Sequence, residues 1–391
     1  MKNHLFYYTV DDYYEDSVKL KKLRNLIIED RSIDQLILEK FPIENFGNFN
    51  DLLKIKGSKQ LIETFEKIDA KKLDIPEKLE NIEFIGFTDK NEIILKFINE
   101  NITASSIYSF SSDFLEQLFS LDKYANFCYE HDYHDLLKEN IDKLFKKMPK
   151  VERQFRLVEK NDQYFLRAQT STKYNNYDNH LGIYLILLAL HKYCVETNSI
   201  FRVEKANLSD SEIRIYMREE KAIEIPDVGR VYFGALVSNS EIKDSALSVE
   251  IRYKVIDANN PGLSFTAIQD LRDAVIDINH TAKIETVEKK LLEIFSINKK
   301  KESMLEFIKG LSKIKFITSD TLYLLYTLIT NSRTLKEETR KNFRTMYDKN
   351  IINNTLSLIE AFNLTSTISS DLDEKMYLER IYHRVLSDII K

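Results

Sequence analysis

The stretch that decides the fold is residues 153–170, which read RQFRLVEKNDQYFLRAQT. Two runs rich in aromatic and branched residues, 153–159 and 163–170, flank Lys160-Asn161-Asp162. Asn and Asp are residues that tight turns prefer, so the pattern predicts a β-hairpin. Strands that follow one another as hairpins pair antiparallel, which indicates an α+β region and not an alternating α/β one.

Further elements extend this region to Gly262. The apolar run at residues 181–195 follows Asp178-Asn179, whose side chains suit a helix N-cap, and it predicts a buried helix. Strands are predicted over residues 201–205, 212–218, 231–238 and 247–255.

The flanking regions have a helical pattern. Residues 1–150 predict helices over 16–28, 60–68, 114–119 and 132–148, with one hairpin over 82–98. After residue 262 the pattern predicts helices and no strand longer than three residues. The predicted fold class is therefore α+β, a central antiparallel-sheet domain flanked by helical N- and C-terminal regions. The expected domains are a mostly helical region with one hairpin (1–150), an α+β core (151–262) and an all-helical region (263–391).

Composition limits the class of protein. Apolar residues make up 43% and charged residues 30% of the 391 positions, which is typical of a folded chain. Eight glycines and five prolines exclude collagen-like, glycine-loop-rich and proline-rich linker architectures. The formal net charge of −5 argues mildly against a dominant phosphate-binding surface. Residues 299–349 depart from this acidic balance, with twelve basic and six acidic side chains. Solvated helix faces would explain this basic excess without a nucleic-acid partner.

Cysteine usage and hydropathy indicate the compartment. Cys128 and Cys194 lie in apolar surroundings and form no disulfide pattern, which suits a reducing cytoplasm. The longest apolar run, within residues 181–190, is too short to span a bilayer. We therefore expect a cytoplasmic protein without a membrane partner.

Motifs for catalysis, cofactors and metals are sparse. The sequence has no GxxxxGK[ST] loop, no GxGxxG after a strand and no GxSxG element, so we expect no cofactor. His131 and His134 have i,i+3 spacing, but no other Cys or His cluster lies nearby to complete a metal site, and a surface or capping role is favoured. Asp178 and Glu241 lie in predicted loops and are the candidates for a metal-dependent nuclease, which would need a closely spaced carboxylate cluster. No catalytic residue and no metal ligand is assigned.

The hairpin carries the candidate nucleic-acid interface. Arginine and aromatic side chains alternate along both strands, and a sheet face with both suits a single strand, since rings stack on bases and arginine contacts phosphate. An ordinary amphipathic hairpin, with arginines paired to Glu152 and Glu159, is the alternative. The candidate phosphate contacts are Arg153, Arg156, Arg167 and Lys173, and the stacking candidates are Tyr164 and Tyr174.

Two stretches resemble a known family. They are LRAQTSTKYNNYDN at residues 166–179, and GRVYFGALVSNSEI at residues 229–242 followed by ALSV at residues 246–249. Together they resemble the phage/plasmid-like protein domain family of unknown function, which has a Ser-x-x-Tyr-x-x-x-x-Asn element and a Ser-Asn-Ser-Glu element that closes a strand. The resemblance covers roughly residues 150–260, and the chain departs from it at Lys243-Asp244, where the family has glycine. It implies a setting, mobile elements and phage–host conflict, more than a reaction.

A polar cluster is expected where the loops of these two stretches meet. Its members would be Ser171, Asp178, Asn179, Ser238, Asn239 and Glu241. A turn stabilised by Ser238 and Asn239 at the end of a strand is the alternative.

Three functions remain open from the sequence. The first is a non-enzymatic nucleic-acid-associated protein of a mobile element, or of antiviral defence or counter-defence, that binds single strands through the core. The second is a protein–protein interaction or sensor module that binds a phage or host protein. The third is a metal-dependent nuclease. In the first reading the C-terminal helices would mediate homo-oligomer assembly.

Overall fold

A computed structural model describes residues 4–11, 14–172, 174–242, 246–314, 317–348 and 357–390. Within these ranges the chain forms two mainly antiparallel sheets with helices, which confirms the mixed α+β class. Among the described residues, no helix is both long and apolar enough to cross a bilayer.

The N-terminal segment supplies two strands of the larger sheet and two helices. They are β1 (Tyr7–Val10), α1 (Ser32–Lys40), β2 (Ile55–Lys56) and α2 (Ser58–Asp69). The helix predicted over residues 16–28 is a 3₁₀ helix at Leu20–Leu26. Leu20, Leu23 and Leu26 are buried, and their spacing of three matches the three residues per turn of a 3₁₀ helix.

The smaller sheet is built from the next segments. Its strands and helices are β3 (Lys72–Lys78), β4 (Ile82–Phe87), β5 (Ile93–Phe97), β6 (Ile102–Ser106), α3 (Phe110–Phe119), α4 (Asp122–Glu130), α5 (His134–Lys147), β7 (Glu152–Lys160) and β8 (Gln163–Thr170). The strand order is β3-β7-β8-β6-β5-β4. The apolar face packs against α3–α5 in a core that includes Phe97, Phe114, Ile141 and Phe155.

The deciding hairpin is confirmed as β7 and β8. Asn161 and Asp162 have φ of 53° and 60°, the left-handed conformation that a two-residue hairpin turn requires at both positions. The second predicted hairpin is also present, as β4 and β5.

The larger sheet holds the remaining strands. Its elements are α6 (Asn179–Thr197), β9 (Phe201–Ser209), β10 (Glu212–Glu219), β11 (Ile223–Ile225), β12 (Gly229–Ser240), β13 (Leu247–Asp257), β14 (Ser264–Ile268) and β15 (Ile276–Ile278). The main strand order is β1-β9-β10-β12-β13-β14. Helix α6 is buried almost throughout, and Leu181, Leu185, Leu188 and Cys194 are all in the core, as predicted.

Helices follow the last strands. They are α7 (Ile284–Leu292), α8 (Ile297–Lys309), α9 (Ser319–Thr330), α10 (Glu337–Met346), α11 (Leu358–Thr365) and α12 (Leu372–Ile390). The ring of Phe362 packs against Phe265 of β14 and against Tyr382 of α12, with ring centroids 5.1 Å and 4.5 Å apart. The C-terminal helices are therefore packed onto the larger sheet.

The predicted domain boundaries are wrong in two places. Residue 150 does not separate two units, because β7 pairs with β3 and β8 pairs with β6. Residues 263–391 are not all helical, because β14 has five residues and extends the larger sheet. In both places the strand partner is distant in sequence, and a local pattern carries no information about it.

The N-terminal segment contacts both sheets. Strand β1 pairs with β9 at the edge of the larger sheet. The hydroxyl of Tyr108, from the smaller sheet's β6–α3 connection, accepts from the Leu5 amide (3.2 Å) and donates to Asp210 (2.7 Å). Lys160, at the hairpin turn, donates to the Leu5 carbonyl at 2.8 Å. The segment thus holds the edges of the two sheets together.

Candidate functional site

A buried cluster of charged side chains joins the two sheets, with Arg156 of β7 at its centre. Its Nε and Nη2 donate to the two carboxylate oxygens of Asp74 on β3, at 3.1 Å and 3.2 Å. Nη2 also donates to Asp178, the N-cap of α6, at 2.5 Å, and Nη1 donates to the Glu241 carbonyl at 3.1 Å. One guanidinium therefore binds the smaller sheet, the central helix and the loop after β12.

Arg167 reaches the same cluster because β8 carries a bulge. Arg156 pairs with Ala168 and Leu157 pairs with Leu166, so Arg167 is the extra residue. A bulge re-aims the side chain that it displaces. Nη1 of Arg167 donates to the Glu241 carboxylate at 2.7 Å and to the Asp210 carbonyl at 2.8 Å.

Two further cations complete the cluster. Lys72 of β3 donates to Glu241 at 2.7 Å, and Arg31, before α1, donates to Asp178 at 2.9 Å. We name this set the ionic junction; its members are Arg31, Lys72, Asp74, Arg156, Arg167, Asp178 and Glu241.

The carboxyl groups of Asp178 and Glu241 are held ionised. Burial alone would raise the pKa of Asp178, but Arg156 and Arg31 outweigh it and hold that pKa well below its usual range. Burial opposes ionisation of Glu241 as well, yet Lys72, with the two arginines, lowers its pKa from 4.5 to about 2. The pKa of Arg156 is raised despite complete burial, because Asp178, Asp74 and Glu241 surround it. The junction is thus a set of ion pairs over the neutral pH range.

Part of the predicted polar cluster is brought together here. The Asn179 amide donates to the Glu241 carboxylate at 3.0 Å, and the Asn239 side chain donates to the Asn179 side chain at 2.9 Å. Ser238 is on the other face of the larger sheet, where its hydroxyl is 2.8 Å from that of Ser248. Ser171 is exposed. Asp178, Asn179, Asn239 and Glu241 therefore meet, whereas Ser171 and Ser238 do not join them.

The candidate nucleic-acid residues are not on one open face. Arg156 and Arg167 do share a face, but it is covered by the larger sheet, and their exposed fractions are 1% and 2%. The Tyr174 ring stacks on His280 with centroids 5.2 Å apart. Arg153 and Tyr164 are partly exposed, at opposite ends of the hairpin. Lys173 lies outside the described residues. The expected surface of arginine and aromatic residues is therefore absent from this part of the hairpin.

The geometry also bears on metal binding. Nη2 of Arg156 contacts the carboxylates of Asp178 and Glu241, at 2.5 Å and 3.6 Å, in the place where a bridging metal ion would be needed. The His134 ring is hydrogen-bonded to the Asn91 side chain (2.7 Å), and the His131 ring is hydrogen-bonded to the Phe127 backbone carbonyl (2.9 Å). Across the described ranges, no group of three or more His, Cys, Asp or Glu is placed to hold a metal.

A second feature is an exposed aromatic surface on the smaller-sheet unit, where α4 turns into α5. Phe127, Tyr133 and Leu136 are 48%, 47% and 46% exposed. The rings of Phe127, His131 and Tyr133 contact one another in a triangle, with centroid distances of 4.5 Å (Phe127–His131), 5.8 Å (His131–Tyr133) and 6.0 Å (Phe127–Tyr133). We name these four residues the aromatic corner.

An acidic cleft adjoins the aromatic corner. It has a volume of about 530 Å³, and its lining includes the carboxylates of Asp89, Asp132 and Asp135. Lys138 also lines it, but its ammonium group donates to the Phe84 carbonyl at 2.8 Å and lies 3.7 Å from the Asp142 carboxylate. The Phe87 and Tyr129 rings line it too, with centroids 5.5 Å apart. No described residue forms an ion pair with any of these three aspartates.

Sequence reasoning missed part of both features. Arg31, Lys72 and Asp74 lie far from the hairpin in sequence, and nothing in their local pattern marks them. The aromatic corner had a signal that we interpreted only as a histidine pair, since residues 126–134 read NFCYEHDYH. Comparison of the chain with protein-family models, curated proteins and solved structures finds no match.

Proposed function

We propose that the protein is a non-enzymatic interaction module that binds a basic, amphipathic segment of a partner protein at the aromatic corner. The observation that carries this proposal is the exposure of Phe127 and Tyr133, whose ring centroids are 6.0 Å apart, with Leu136 exposed three residues after Tyr133. Contiguous exposed apolar side chains rimmed by polar groups are typical of binding surfaces, and aromatic residues often dominate the binding energy.

The charge around the corner favours a basic partner. Asp132 and Asp135 line the adjoining cleft, and Glu130 is exposed at the end of α4. A lysine or arginine of the partner would enter the cleft beside the Phe87 and Tyr129 rings, where carboxylates and ring faces both attract a cation. The same carboxylates repel phosphate, so this face disfavours nucleic acid.

The ionic junction also favours an interaction module over a nucleic-acid-binding protein. Arg156 and Arg167, on which the nucleic-acid reading depended, use their charge to hold the two sheets together. The expected setting, phage–host conflict or a mobile element, is part of the proposal through the family resemblance alone. The proposal fits a partner protein from a phage and one from the host equally well.

The test is a binding titration with defined probes. A fluorescent amphipathic peptide of leucine and arginine is compared with the same peptide carrying glutamate for arginine, and with a labelled oligothymidine. We expect the basic peptide to bind and the other two to bind at least about tenfold more weakly. Phe127→Ser with Tyr133→Ser should weaken peptide binding about tenfold or more. Tyr323→Ser is the matched control, since that ring is 67% exposed on α9 of the helical region.

Removing the carboxylates of the cleft should change the salt dependence of peptide binding. Asp132→Asn with Asp135→Asn should weaken binding mainly at low salt, because screening already removes their contribution at high salt. Preferential binding of oligothymidine would support the nucleic-acid reading instead. Equal binding by wild type and the Phe127→Ser/Tyr133→Ser variant would refute the aromatic corner as the binding surface.

A further inference from the structure

The acidic cleft beside the aromatic corner has aromatic walls. Phe87 ends β4, Tyr129 is in α4 and His134 begins α5, and all three rings line the cleft. The Phe87 ring stands at 84° to the Tyr129 ring and at 66° to the His134 ring, with centroids 5.5 Å and 5.9 Å apart. The rings therefore meet as the sides of a corner and not as a flat stack. A side chain that enters the cleft meets ring surface on more than one side.

The carboxylates of the cleft come from two turns. Asp89 is in the turn between β4 and β5, Asp132 is in the turn between α4 and α5, and Asp135 is in the first turn of α5. All three are exposed. Among the described residues, none of them accepts a side-chain hydrogen bond or forms an ion pair. Both oxygens of each carboxylate are therefore available to a partner.

Lys138 does not neutralise these carboxylates, although it lines the same cleft. Besides its bond to the Phe84 carbonyl, its ammonium group lies 5.3 Å from the centroid of the Phe84 ring. That ring belongs to the core of the smaller-sheet unit and not to the cleft lining. The cleft thus keeps negative charge for a cation of the partner.

Ring walls and free carboxylates together distinguish between the cations that a partner protein can offer. A lysine ammonium is a strongly hydrated point charge, and it loses hydration against a ring wall. A trimethylated lysine packs well against rings but has no N–H group to donate to a carboxylate. A guanidinium is weakly hydrated, stacks on rings through its flat face and donates two parallel hydrogen bonds to one carboxylate.

We propose that the acidic cleft selects an arginine of the partner segment over a lysine. The guanidinium packs on the ring walls and pairs with both oxygens of one of the exposed carboxylates. This selection rests on the proposed binding of a basic amphipathic segment at the aromatic corner. The corner binds the apolar side chains of that segment, and the cleft decides which basic segments bind.

Three peptides test the selection on the full chain at equal ionic strength. The amphipathic peptide of leucine and arginine is compared with the same peptide carrying lysine, or trimethyllysine, at every arginine position. We expect the arginine peptide to bind at least about fivefold more tightly than the other two. Equal binding of the arginine and lysine peptides, or tightest binding of the trimethyllysine peptide, would overturn the selection and leave the aromatic corner as the binding surface.

Variants of the cleft assign the preference to its carboxylates. Asp132→Asn with Asp135→Asn should reduce the preference for arginine over lysine, because an amide cannot accept two parallel N–H bonds. Glu130→Gln with Glu139→Gln is the charge-matched control, since both residues are exposed on the same two helices but do not line the cleft. This control should weaken both peptides alike and keep the preference. An unchanged preference in the Asp132→Asn/Asp135→Asn variant would contradict the pairing.

A probe that does not need the aromatic corner separates the selection from the proposed function. N-acetylargininamide and N-acetyllysinamide are titrated into the isotope-labelled full chain, and the amide resonances of residues 86–91 and 129–135 are followed by NMR. The arginine amide should shift them at a concentration at least about threefold lower than the lysine amide does. An equal response, or no response to either amide, overturns the selection whatever the peptides do. A preference for the arginine amide without binding of any peptide would refute the proposed function alone.

Discussion

Arg156 of the smaller sheet donates a hydrogen bond of 2.5 Å to Asp178, the residue that precedes the central helix of the larger sheet. Both side chains are buried, at 1% and 2% exposure. Buried ion pairs therefore lie in the contact between the two sheets. The free energy of that contact depends on each buried charge retaining an oppositely charged partner.

The first prediction concerns removal of that central charge. Arg156→Ala should lower the free energy of unfolding by about 3–5 kcal/mol, because it removes both hydrogen bonds that the Asp74 carboxylate accepts and one cationic partner of the buried Asp178 carboxylate. Urea denaturation measures the change. Arg153→Ala, on the same strand but partly exposed, is the control and should change the free energy by less than about 0.5 kcal/mol. A loss below about 1 kcal/mol in Arg156→Ala would contradict the importance of the junction.

The second prediction concerns pH. The pKa of Glu241 is about 2 in the folded protein against an ordinary 4.5, so its ionisation stabilises the fold above the ordinary value. That contribution is lost as pH falls from 4.5 towards about 2, and the lowered pKa of Asp178 acts in the same direction. The loss from Glu241 alone is on the order of 3 kcal/mol.

Urea midpoints between neutral pH and pH 3 check this dependence. Glu241→Gln should be less stable than wild type at neutral pH and should lose less stability on acidification. An equally steep acid dependence in wild type and Glu241→Gln would show that other carboxyl groups cause it.

The third prediction concerns the central helix. Leu185→Asp should cost more than about 3 kcal/mol, because it places an unpaired charge in the core. Val195→Asp is the matched control, since Val195 is on the same helix and is 53% exposed. An unchanged melting midpoint in Leu185→Asp would mean that the helix is not packed as described.

The sequence predicts these elements well where the signal is local. The Asn161-Asp162 turn defines the β7–β8 hairpin, and the apolar run after Asp178 defines α6. The junction could be predicted only in part, since Arg167 binds Glu241 across 74 positions. Nothing local reports that distance, and alternation alone does not reveal the bulge that aims Arg167. The pairing of β7 with β3 is also between segments distant in sequence, so it was not predicted. This pairing places the hairpin in the smaller sheet and not in the predicted α+β core.

The fourth prediction follows from this correction. A fragment of residues 71–171 contains all six strands of the smaller sheet and its three helices, so it should unfold cooperatively in urea. A fragment of residues 151–262 should not, because β7 and β8 lose both neighbours and β9 loses β1. Circular dichroism and urea titration compare them, and cooperative unfolding of the second fragment alone would restore the original boundaries.

The fifth prediction concerns Tyr108, which has a φ of 61°, a conformation that is rare for a bulky residue. Tyr108→Phe removes the hydroxyl that bonds Leu5 and Asp210, and we expect the amides of β1 to exchange hydrogen about tenfold faster. Exchange in α6 should stay unchanged. Tyr8→Phe is the control, and equal acceleration in both variants would show that the Tyr108 hydroxyl is not what holds β1.

The N-terminal strand also has a consequence for synthesis on the ribosome. Tyr7 of β1 pairs with Ser209 of β9, so β1 has no partner strand until about two hundred further residues have been added. At about 5–20 residues per second, that delay lasts on the order of ten seconds or more, and an unpaired strand edge is open to wrong contacts during it. The smaller sheet is complete at Thr170, before β9 exists. Nascent chains should therefore acquire a folded smaller sheet before β1 pairs with β9 at the edge of the larger sheet.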